Sequence, residues 1–259
     1  MEHAARTWIA ALRRSHDDLV ARVDTLTDAQ LTHPSYASEW SIAQVLSHLG
    51  SGAEIMTGYL EAASDGRPTP GRDTAAVIWD RWNALTPEEQ ARDGCRSDRA
   101  LVSRLESLDD AQLASLRVAA LGTELDAAGL VGLRLGEHAI HTWDVAVMLD
   151  PSARVIPEAT DLLVDRIGAL AGRVGKPPAQ PIRLLVRTEA PERRLQLVTD
   201  DAVRLTPADG DGGAGELRIP AEALLRLVFG RLDPAHTPPL VLTGTDVSLD
   251  QLRAVFPGF

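Results

Sequence analysis

The chain has a single cysteine, Cys95, among 259 residues. One thiol excludes an internal disulfide and any cysteine-based metal cluster, and it suits a reducing interior. Cys95 falls in the polar run Ala-Arg-Asp-Gly-Cys-Arg-Ser-Asp, which reads as a loop with an incidental thiol. Any thiol chemistry therefore needs a thiol from outside. Basic side chains are also scarce: 26 stand against 37 acidic ones, the net charge is -11, and no stretch gathers Lys or Arg into a stripe with interleaved aromatics. A polyanion would approach against that field, so no nucleic-acid partner is expected. No run of about eighteen uncharged apolar residues occurs, which argues against a membrane span. The start, Met-Glu-His-Ala-Ala-Arg-Thr-Trp, has no basic segment leading into an apolar core, so no signal peptide is expected and a cytoplasmic protein follows. The glycine-rich stretch 209–215 lacks the Gly-Lys-Ser/Thr ending of a phosphate loop and reads as a hairpin-type connector.

What is present is enough apolar material, 44% of residues, to fill a sizeable core. Trp8, Leu12, Leu19, Val23 and Leu26 recur at helical spacing and predict an amphipathic helix over 7–26, with His16 an ordinary packed or solvated side chain. Ser41 and Gln44 have the spacing of a capping box for a second helix that runs to about Ser64. Residues 65–73 read as loop, 75–85 as helix, Thr86-Pro-Glu-Glu as the cap of another short helix, and 97–108 as a further one. The state of 116–121 is left open. Asp126 is a fair N-cap for a helix that Asp150-Pro151 stops and that is apolar on nearly every side, hence buried within a bundle. Pro157 opens the last bundle helix, which closes near Gly175. Three prolines within 175–181 mark an extended connector between a helical domain, 1–176, and a smaller α/β domain, 182–259. Short Val, Leu and Ile-rich runs there predict strands near 182–187, 194–198 and 202–205, followed by helices over 221–229 and 248–255.

The buried helix carries Arg134-Leu-Gly-Glu137-His138-Ala-Ile-His141-Thr-Trp143-Asp144. Positions four apart lie one above the other, so Glu137 and His141 share a face, with Asp144 further along it. A remote helix offers His48 among Val45, Leu46 and Leu49. Two imidazoles and one carboxylate would suit a divalent ion, zinc above all, and leave coordination positions open. His138 is a second-tier ligand because it meets His141 at three residues rather than four. Asp144 is expected to orient an imidazole. Two alternatives remain at this level: a metal site, or a buried polar network.

Trp40-Ser with Val45-Leu-Ser-His48-Leu, and Gly-Glu137-His138-Ala-Ile-His141-Thr-Trp-Asp144, resemble the two signatures of the mycothiol-dependent maleylpyruvate isomerase-like family within the DinB superfamily. The resemblance covers nearly the whole chain. It implies an α+β architecture, a DinB-like four-helix bundle followed by a sterol-carrier-like domain, with His48, Glu137 and His141 as metal ligands and mycothiol as the thiol. In that reading the thiolate adds to an electron-poor carbon of a small substrate, giving isomerisation or S-transfer. An anionic substrate would want a cation at the pocket rim, for which Arg134 and Arg231 are candidates. Activated water in place of the thiol would make a hydrolase or lyase, and structural histidines with a ligand-holding C-terminal domain would make a binding module. The expected assembly is a monomer or homodimer.

Overall fold

The computed structural model describes residues 4–37, 39–120, 122–210, 215–244 and 246–258. They form two compact units, Met1–Ala153 and Arg154–Phe259, in an α+β arrangement with the helices leading.

The first unit is built on four long helices, α1 (Ala5–Val23), α3 (Ile42–Ser64), α5 (Pro87–Glu106) and α7 (Ala127–Leu149), with short α2 (Asp28–Leu31), α4 (Arg72–Asn83) and α6 (Asp110–Ser115) between them. Local chemistry sets the starts. Ser41 and Gln44 close the expected capping box on α3, Thr86 and Glu89 do the same for α5, and Asp126 accepts the Gly129 amide at 2.7 Å to open α7. The long helices pack as a ring in which α1 meets α5 and α7, and α3 meets the same two. Leu19, Ile42, Val45, Leu46, Leu49 and Val145 lie within its core. Residues 118–120 and 123–125 pair as a small antiparallel ribbon, β1 and β2, so 118–120 of the stretch left open is strand, while its residue 121 lies outside the described set.

The sequence predicts a short helix capped at Thr86 and a separate one over 97–108 where α5 runs unbroken, so Cys95 is helical rather than in a loop. Gly94 does not end the helix but lets it approach α3. A Cβ at Gly94 would sit 2.5 Å from the Leu46 carbonyl oxygen, and one at Gly50 would sit 2.7 Å from the Gly94 Cα. Gly94→Ala should therefore push the two helices apart and destabilise the unit by about 1–3 kcal/mol, as overpacking does. A chemical-denaturation midpoint equal to wild type would contradict that.

The second unit holds a mixed sheet in the order β5-β4-β3-β6-β7, with β3 (Ile182–Glu189), β4 (Arg193–Thr199), β5 (Val203–Pro207), β6 (Glu216–Pro220) and β7 (Val241–Thr243). All pairs are antiparallel except β3 with β6. Since β5 and β6 are not neighbours, they do not form a hairpin; residues 211–214 of the glycine-rich stretch expected to turn one lie outside the described set.

The helix expected from Pro157 to near Gly175 as the bundle's last member is two pieces, α8 (Pro157–Leu163) and α9 (Ile167–Val174), and these belong to the sheet unit. Its polar break, Asp165, is held by Arg193 of β4 at 2.5 Å. At Gly168 the backbone of α9 comes so close to β5 that a Cβ would lie 2.2 Å from the Leu205 carbonyl oxygen. A helix made this thin on one side packs on a sheet edge more closely than a larger residue would allow. The compact units accordingly divide ahead of α8 and not at the proline-rich segment. Helices α10 (Ala221–Val228) and α11 (Leu249–Val255) complete the unit.

Among the described residues no helix is long and apolar enough to cross a membrane.

Candidate metal centre

His48 lies in the second turn of α3, and Glu137 and His141 lie one above the other on α7. His48 Nε2 is 3.5 Å from Glu137 Oε2, and His141 Nε2 is 3.8 Å from the same oxygen. The two imidazoles meet edge to face with centroids 4.7 Å apart, and one ligand atom from each of the three residues lies within 4.8 Å of the others. These separations are long for hydrogen bonds. They suit donors sharing an ion: a tetrahedral centre with metal–nitrogen bonds of about 2.05 Å sets its ligand atoms about 3.3 Å apart.

Protonation agrees with that use. Burial draws the His48 imidazole below its ordinary 6.5 against the pull of Glu137, with the charge of His141 adding to the lowering. Burial would raise the Glu137 carboxyl, but the polar contact with His48 and the charges of His141, His48 and Arg134 outweigh it and bring it down to about 2. A neutral imidazole and an ionised carboxylate are the forms a metal requires. Behind the centre, His141 Nδ1 stands 2.9 Å from Asp144 Oδ2, which leaves Nε2 facing inward. Asp144 is fully buried.

The Trp40 indole lies against both imidazoles, with centroids 5.0 Å from His48 and 5.9 Å from His141. Its turn is tied down: Ser35 N donates to the Trp40 carbonyl at 2.8 Å and Tyr36 N to the Asp144 carbonyl at 3.0 Å. The role of Trp40 is absent from the sequence reading, where the residue counts only as part of a signature. Two surface cavities of about 510 and 360 Å³ lie elsewhere on the first unit and include none of the three donors.

A second cluster lies deeper and is built differently. His16, Asp98 and His138 are each no more than 1% exposed. His16 Nδ1 is 2.6 Å from Asp98 Oδ2, and His138 Nε2 is 2.9 Å from that oxygen, in ion-pair contact though short of hydrogen-bond geometry. Ser15 Oγ lies 2.8 Å from His138 Nδ1. Arg134 Nη2 donates to Asp98 Oδ1 at 2.6 Å and to the Leu49 carbonyl at 2.8 Å. Burial alone would raise the Asp98 carboxyl, but the charges of His138 and Arg134 and the hydrogen bond from His16 hold it well below the usual range. The guanidinium is the permanent charge among these. With nitrogen–oxygen contacts of hydrogen-bond length and a cation already on the carboxylate, this group is a polar network and a poor place for a second metal.

His138 thus stands in this network and not with His48 and His141. Arg134, expected at a pocket rim, is 3% exposed; a charge so buried has to be paired, and Asp98 is its partner. Arg231 lies in the second unit, where Nη1 donates to the Phe229 carbonyl at 2.8 Å. His16, expected as an ordinary side chain, is packed and bonded. Asp98 is missed altogether, although one signal existed: it shares the apolar stripe of Gly94, Leu101, Val102 and Leu105, where a carboxylate needs a partner.

Helical ring and donor set together define a helical bundle with a three-donor cluster between α3 and α7. The model of the mycothiol maleylpyruvate isomerase N-terminal domain matches residues 12–146, just over half of the chain and inclusive of all three donors, and the chain belongs to that family. Among solved structures, that of the mycothiol-dependent maleylpyruvate isomerase is similar over 95% of each chain, with a TM-score of 0.69 and 13% identity. A histidine-to-alanine mutant of that isomerase gives the same coverage, score and identity. At this identity the likeness is one of fold. No curated protein matches.

Proposed function

We propose that this chain is a metal-dependent enzyme of the isomerase or transferase kind, holding a divalent ion, zinc in the first instance, on His48, Glu137 and His141 and using mycothiol as its thiol. The observation that carries the reading is the convergence of two imidazoles and one carboxylate at ion-sharing separations. Bound there, the ion would favour thiolate over thiol. The chain's own groups do the rest. Asp144 fixes the ring of His141, Trp40 covers the imidazole pair with an apolar face, and Glu137, the most exposed of the three donors, borders the open side.

The nucleophile is not internal. Burial pushes the Cys95 thiol up to about 11, so it is protonated and inert near neutrality. An added thiolate can attack an electron-poor carbon of a small substrate, then leave after rotation about the weakened bond or remain as a conjugate. The family favours mycothiol for this task, and the relatives of similar fold are mycothiol-dependent.

The test is a thermal shift with mycothiol on metal-loaded protein. At a hundred times its dissociation constant the thiol should stabilise the fold by about 2.7 kcal/mol. Absence of any shift, with metal in place, would move the reading to a hydrolase or lyase that uses water.

A further inference from the structure

We infer that Asp98 and Arg134 are a positioning pair for the metal centre: they fix the spacing and rotation of the two helices that carry its ligands. The inference rests on the metal reading above and adds residues to it that touch neither ion nor substrate.

Arg134 Nη2 reaches two elements at once, the Asp98 carboxylate on α5 and the Leu49 carbonyl on α3. Leu49 is the residue after His48, and on α7 Arg134 and His138 lie one turn apart on the face beside that of Glu137 and His141. Asp98 Oδ2 receives His16 from α1 and meets His138 of α7. The network therefore touches all four long helices at the level of the ligands. Ser97, next to Asp98, adds a hydrogen bond from α5 to the Gly50 carbonyl at 2.9 Å, again beside His48.

Small movements at this level matter. A rotation of α7 by about 20° carries each Cα, at a radius of about 2.3 Å, through about 0.8 Å. Ligand distances in metal sites are held to about 0.2 Å. Apolar packing alone tolerates rotamer changes of that size, whereas a guanidinium shared between a carboxylate and a carbonyl does not. Why a charge pair is kept in a core that could be filled with apolar side chains is thereby explained: it sets register where the donors converge.

The experiment compares Co2+ binding by wild type, Asp98→Asn and Leu101→Ala, well below their melting temperatures. Leu101 is a fully buried residue of α5, and its truncation lowers stability without touching the network. Asp98→Asn should weaken Co2+ binding about tenfold or more, as loss of an outer partner does, and should shift the visible spectrum of the bound ion, while Leu101→Ala keeps wild-type affinity and spectrum. If Asp98→Asn does not fold, Arg134→Lys takes its place, since an ammonium cannot span both acceptors with the same geometry. Wild-type affinity and spectrum in the network variant, or equal weakening in Leu101→Ala, would overturn the inference. Failure of wild type to bind Co2+ at all would instead strike the metal reading itself.

Discussion

Replacing His141 by alanine should take the purified protein from about one divalent ion per chain, as one three-ligand site predicts, to none after dialysis. His141 is the least exposed of the three donors, with 10% of its side chain accessible, and it alone has a buried carboxylate behind it, Asp144 at 2.9 Å. Its removal leaves His48 and Glu137 on different helices, too few to hold an ion against dialysis. Asp144→Asn should keep the site but weaken it about 10–100-fold, because the ring of His141 loses its orienting charge. His33→Ala, at an exposed position outside the cluster, serves as control and should bind as wild type does. Metal analysis by atomic emission decides the matter, and a His141→Ala protein that keeps its full ion content would dismantle the ligand assignment.

Arg134→Met should cost about 3–5 kcal/mol of folding free energy, because removing one partner of a buried ion pair leaves the other charge uncompensated. The guanidinium is 3% exposed and Asp98 fully buried, so water cannot take over. The pH dependence has a definite sign. In wild type the Asp98 carboxyl is held below its ordinary 3.8. Its contribution to stability is therefore complete above that value and is lost as pH falls through the folded-state pKa. Without Arg134, burial acts with less opposition and raises the carboxyl, so the variant relieves its penalty by taking up a proton. The gap between wild type and variant should then narrow as pH is lowered from 7 toward 4. Denaturant titrations across that range measure it, and a gap that stays constant or widens would show that Asp98 is not the group left unpaired.

These two residues also show where the sequence was readable and where it was not. His48, Glu137 and His141 could be named because their signals are local: a helical spacing of four, a histidine inside an apolar run, and a family signature around each. The caps at Ser41 and Thr86 and the stop at Asp150-Pro151 are local in the same way, and the helix ends they set fall where expected. Asp98 was not legible. With a helix expected to begin at Ser97, it falls in a first turn, where an acid is favoured by the helix dipole and draws no notice. Only the unbroken course of α5 through Gly94 turns that position toward the core. Arg134 failed for a related reason, since its neighbours in sequence fix its face of α7 but not what lies opposite. The helical period of α8 and α9 reads equally as bundle; what separates them from it is packing within the second unit, α9 on β5 and α8 on α10, and periodicity says nothing of partners.

The latched turn that carries Trp40 has a stereochemical consequence. With the indole braced over the two imidazoles and His141 backed by Asp144, the donors left reachable are Glu137, whose side chain is 43% exposed, and His48, at 34%. In the proposed reaction both reagents would reach these donors from the side away from the indole. An addition carried out under that constraint presents a single face of a planar carbon to its attacker, so a prochiral acceptor that stays conjugated should emerge as one enantiomer.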